Sequence, residues 1–146
     1  MNFTNPMELH IAGLSTELSM LIAATFLGLL QLLVAARVGN NQRGLKWNVG
    51  ARDEAPKPVT AVAGRLERAF RNFMETFPFF AAAVIVATLA GRHNWATVWG
   101  AEIYLAARVV YWPLYGFGVP VLRTLVWLIA TLALLLVAVA VVWPTT

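Results

Sequence analysis

"RLERAFRNFMETFPFF", residues 65–80, decides how this chain is read. It leads into the apolar run "AAAVIVATLA", residues 81–90, yet it carries Arg65, Arg68, Arg71, Asn72 and Glu75. Ionisable groups are costly in hydrocarbon and usually face a bundle interior or a wet cavity. At about 100° per residue, Arg65, Arg68, Asn72 and Glu75 fall within an arc of about 80°, and Phe77 points away from it. The segment reads as a helix with one polar stripe on an otherwise apolar body.

The rest of the chain supplies the setting for that helix. Of 146 residues, 60% are hydrophobic and 12% charged, against about 45–50% and about 25% in soluble domains. Runs of about 20 apolar residues cross a bilayer. Four occur, at about 17–37, 66–90, 95–115 and 120–143. The third is the least apolar, because of Glu102 and Arg108, but its aromatic ends suit an interfacial belt. The expected fold is all-α: one domain, an integral membrane four-helix bundle with a loop at about 38–65.

Charge orients the spans. The window from Arg37 to Arg71 holds eight of the eleven basic residues. The positive-inside rule places that loop in the cytoplasm and both termini outside it. "AGRHN" is then a short outer turn and "PLYGFGVP" a cytoplasmic one. The N-terminal "MNFTNPMELHIAGLSTELSM" has no Lys or Arg, so it lacks the basic region of a signal peptide. The net charge of +4 is confined largely to one loop and has no aromatic-basic surface pattern, so nucleic acid is not expected. The absence of cysteine excludes disulfides and protein thiolates. His10 and His93 stand at span ends with no second ligand type nearby, so both read as surface residues and no metal is expected.

The third and fourth spans extend the polar theme. With Arg108 as origin, Tyr104, Tyr111 and Tyr115, all the tyrosines of the chain, share about 60° of one helix face. Arg123 follows Pro120 by three residues, and proline suits the first turn of a helix. A cation at a helix N-terminus opposes the dipole unless an anion lies beside it. These stripes gather toward the cytoplasmic ends of three spans. They describe a pocket for a small zwitterionic ligand: arginine forks take carboxylates, and Glu75 takes an ammonium. Two plainer readings compete. Arg68, Asn72 and Glu75 could only hold helices together, and the tyrosines could be belt residues.

These same residues resemble a known family. "RLERAFRNFMETFP" is similar to the second-helix signature of the membrane-associated proteins in eicosanoid and glutathione metabolism, the MAPEG family, through Arg68, Ala69, Asn72, Glu75 and Pro78. "YLAARVVYWPLY" resembles its third-helix stretch through Tyr104, Arg108, Tyr111 and Tyr115. The resemblance, over about 17–143, implies a homotrimer binding glutathione between subunits near the cytoplasmic face. By position it implies that Arg68, Asn72, Glu75, Arg108, Tyr111 and Tyr115 hold glutathione. Arg43 would reach it from the neighbouring subunit, and Arg123 would be the catalytic residue facing the sulfur. Thr76 stands where the leukotriene-forming members have tyrosine, Phe70 where they have a polar residue, and Pro113 interrupts the third span. The spacing from Arg108 to Arg123 is one residue longer than in those members. The chain looks more like the short bacterial members, which implies a bacterial inner membrane.

The function expected from the resemblance is a membrane glutathione-dependent transferase or peroxidase. Glutathione is the co-substrate, and a lipophilic electrophile or hydroperoxide arrives through membrane lipid. The alternative is a non-catalytic accessory or structural subunit of a larger membrane complex. An ion or small-molecule pathway is a weaker rival, because the polar stripes stop in one half of the bilayer.

Overall fold

The computed structural model describes residues 13–51, 53, 55 and 57–143. Five helices account for most of it: α1 (Thr16–Arg43), α2 (Leu45–Val49), α3 (Ala61–Leu89), α4 (Trp95–Phe117) and α5 (Pro120–Val142). Three of them, α1, α3 and α5, are long and apolar enough to cross a membrane. The remaining long helix, α4, is interrupted in apolar character by Glu102 and Arg108.

Local chemistry sets most of the ends. Ser15 caps α1 by accepting from the Leu18 N–H. Asn94 and Thr97 form a reciprocal capping box at the start of α4. That helix stops at Gly118, whose φ of +77° is one that glycine adopts freely. Pro120 occupies the first turn of α5.

Helix extends into the loop expected at about 38–65: α2 lies within it and α3 begins at Ala61. The loop expected from residue 38 is helical through "VGNNQR", up to Arg43. Tertiary contacts override the helix-breaking signals there. Gly39 lets α3 come close: a β-carbon at that position would lie 2.8 Å from Glu67 Oε1. Arg43 forks onto the Glu67 carboxylate at 2.6 and 3.0 Å. Gln42 exchanges hydrogen bonds with the backbone of Thr60.

The four long helices pack side by side. The most extensive contact is between α4 and α5; α1 meets α3 and α4, and α3 meets α4 and α5. Helices α1 and α5 do not touch, so α3 and α4 separate them. Close approaches are made at glycine. A β-carbon on Gly28 would strike the Phe73 ring of α3, and one on Gly100 would strike Val137 of α5. Small residues at crossings suit a setting where packing, not water, drives helix association. Phe73, Phe80, Val84, Tyr104 and Val137 form the buried centre. Phe26, Leu33, Phe79 and Leu132 are each at least 64% exposed on the outside, as a lipid-facing surface requires.

Candidate functional site

The polar stripe of α3 meets that of α4 inside the helix packing. Arg108 is 1% exposed. Its Nη1 donates to Asn72 Oδ1 at 2.9 Å, and its Nη2 donates to Thr76 Oγ1. The hydroxyls of Thr76 and Tyr104 lie 3.1 Å apart. The guanidinium also sits over two rings, 5.5 Å from the centroid of Tyr104 and 5.4 Å from that of Tyr111. Phe80 stacks on the other partner, Tyr104, with centroids 4.0 Å apart. No described carboxylate pairs with Arg108. A buried cation held only by neutral groups leaves the region positive.

Next to this network is an open pocket of about 200 Å³ lined by Asn72, Tyr111, Tyr115, Arg123, Thr124 and Trp127. Arg123, in the first turn of α5, lies over the Tyr115 ring with Cζ 4.4 Å from the centroid. It makes no ion pair among the described residues. Tyr111 and Tyr115 meet edge to face, with centroids 5.5 Å apart. Glu75 is exposed at the rim and accepts from the Asn72 amide at 3.2 Å. A helix N-terminus, a guanidinium and two phenols together favour an anion.

The structure therefore brings Asn72, Tyr111, Tyr115 and Arg123 into one pocket, with Arg108 behind Asn72 and Glu75 beside it. Arg68 is exposed on α3, one helical turn before Asn72, and has no hydrogen bond or ion pair among the described residues. Arg43 is elsewhere: Glu67 holds its fork, and its Nε donates to the Lys57 carbonyl at 3.3 Å.

Thr76, Thr124 and Trp127 belong to the site without being marked by the sequence pattern. Thr76, at about 80° from Arg68, lies about 20° beyond the edge of the α3 stripe, so widening the arc slightly takes it in. His93 is exposed, as expected of a surface residue, but it has a partner. It is not isolated: its Nδ1 lies 3.1 Å from Oε1 of Glu17, a carboxylate only 1% exposed. Thr97 Oγ1 donates to the same Oε1 at 2.6 Å. The residues come from α1, the α3–α4 turn and α4, so sequence spacing carries no sign of the cluster. His10 lies outside the described residues.

The sequence model described as the MAPEG family matches residues 20–143. Neither a curated protein nor a solved structure matches the chain.

Proposed function

The chain belongs to the MAPEG family, which includes glutathione transferases and peroxidases, and on that premise we propose that it activates the thiol of glutathione at the Arg123 pocket. The observation that carries the reading is Arg123 itself. Its guanidinium lies against Tyr115 in a polar pocket, at a helix N-terminus, with no carboxylate of the described chain to neutralise it. A free thiol has a pKa of about 8.5, so only a few per cent is thiolate at neutral pH. A guanidinium and a helix N-terminus both favour the charged form.

In this reading Arg68 takes a carboxylate of the tripeptide and Glu75 its ammonium. Asn72, Tyr111 and Tyr115 complete the hydrogen bonds, and Arg108 holds Asn72 in place from behind. Arg123 faces the sulfur. Arg43 of a neighbouring subunit would reach the ligand on exchanging Glu67, which engages its fork within the chain. The thiolate then attacks an electrophilic carbon or a hydroperoxide oxygen of a lipophilic substrate entering from the bilayer.

The pocket of one chain, about 200 Å³, is smaller than the ~300–1,000 Å³ usual for a small-molecule site. This supports a neighbouring subunit supplying the missing wall, and the family resemblance makes that assembly a homotrimer. The basic residues around α2 support a topology with that loop in the cytoplasm, both termini outside and α4 as a fourth span; the resemblance to short bacterial members supports a bacterial inner membrane. Calorimetric titration of glutathione into the protein in lipid nanodiscs tests the reading. Saturable binding, with growth of the near-ultraviolet thiolate band, is expected; no binding at millimolar glutathione would remove it.

A further inference from the structure

Glu102 is the one carboxylate of α4, and no described residue answers it. It makes no hydrogen bond or ion pair among the described residues. The buried residues of α4, from Ala96 to Tyr111, span an arc of about 140°, and Glu102 stands about 170° from its centre. Its neighbours on that outward face are apolar: Trp99 is 40% exposed and Val109 is 49% exposed. Ala106, one turn on, is exposed as well.

The depth of Glu102 follows from its flanking contacts. Gly100 packs on Val137 of α5, and Tyr104 stacks on Phe80 of α3. Glu102 is therefore level with the interior of two helices able to cross a membrane. Trp95 and Trp99 lie toward the outer end, where aromatic side chains mark the interface. An ionisable group below that belt almost always faces a bundle interior or a wet cavity and is paired.

A second copy of the chain is poorly suited to that role. Copies related by rotation about the membrane normal hold equal residues at equal depth. At the depth of Glu102 the described chain offers no cation. Arg92 and His93 belong to the turn beyond Trp95, and long basic side chains there extend toward water. Arg108 is buried deeper and is engaged by Asn72 and Thr76. Two α4 faces brought together would oppose like charges.

We propose that the outward face of α4 centred on Glu102 is a docking surface for a transmembrane helix of a different protein, one carrying a Lys or Arg at this depth. The inference is independent of glutathione chemistry, because the face lies opposite the buried side of α4 that carries Arg108 and Tyr111.

A photoreactive benzoylphenylalanine at Ala106, in the full chain in membranes of its own cells, tests this. The expected product is a single protein adduct whose added mass is not a multiple of the 16.0 kDa chain. It should fall at least tenfold in Glu102→Gln, which keeps the shape and loses the charge, and persist in Glu102→Asp. The same probe at Leu132 on α5 should not give it. Adducts built only from copies of the chain, adducts with lipid alone, or a partner adduct indifferent to Glu102→Gln would each overturn the proposal. Unchanged thermal unfolding of the Gln variant in detergent separates loss of docking from loss of fold.

Discussion

The guanidinium of Arg123 on α5 lies 4.4 Å from the centre of the Tyr115 ring on α4. The two residues come from opposite sides of the Gly118 turn. A ring face offers a cation some attraction, about 0.5–2 kcal/mol, without neutralising it. The pair thus holds a positive charge in a fixed place while leaving it free to meet an anion.

Arg123→Leu should separate binding from chemistry. Much of the glutathione affinity should remain, since the other proposed contacts come from α3 and α4. The bound thiol should have a pKa below 8.5 in the parent protein and return toward about 8.5 in the variant. The difference in thiolate absorbance should be largest between the two values and vanish well above pH 8.5. Coincident titration curves would take Arg123 out of the mechanism.

Arg68 and Glu75 are both exposed, so their roles in ligand and in fold can be distinguished. Arg68→Ala and Glu75→Gln should each weaken glutathione binding by ~1.5–3 kcal/mol, roughly ten- to a hundredfold. Their unfolding free energies should stay within about 0.5 kcal/mol of the parent. Normal binding with reduced stability would favour helix association over ligand binding.

Arg108 should behave in the opposite way. Arg108→Ala leaves Asn72 and Thr76 without their buried donor and opens a cavity beneath two tyrosine rings, for a loss of about 3–5 kcal/mol. Tyr104→Phe, which removes one hydroxyl from the same network, should cost nearer 1 kcal/mol. Thermal unfolding in detergent should rank the two in this order; equal effects would mean that Arg108 is not the centre of the network.

Glu17 and Thr97 should be energetically coupled. Glu17→Ala and Thr97→Val each break the 2.6 Å bond between α1 and α4. A double-mutant cycle in unfolding free energy should return an interaction of ~0.5–3 kcal/mol. Additive effects would show that this bond contributes no coupling between α1 and α4.

Ala61 has φ +48° at the first residue of α3. The left-handed region costs a residue with a β-carbon roughly 1–2 kcal/mol, and glycine avoids that cost. Ala61→Gly should therefore raise the melting temperature by a few degrees, while Ala61→Val should lower it.

Sequence alone determined the membrane class and the existence of the four long helices, because hydrophobic length and helical period are local properties. A fixed turn of about 100° per residue puts Asn72 and Thr76 on one side of α3 and Arg108 and Tyr111 on one side of α4 whatever those helices later meet. The caps at Ser15, Asn94, Gly118 and Pro120 are local as well. What each polar group meets was decided only when distant segments came together. Arg43 and Glu67 are 24 residues apart, and they pair where α1 runs on past residue 38 into the expected loop. Glu17 and Thr97 are 80 residues apart, and nothing in either neighbourhood announces the other. Arg108 finds Asn72 and Thr76 behind the pocket, Arg123 stays open at its wall, and Glu102 is left facing outward. Periodicity fixes the direction in which a side chain leaves its helix; only the packing of non-adjacent helices fixes whether an amide, a ring, a ligand or the bilayer lies in that direction.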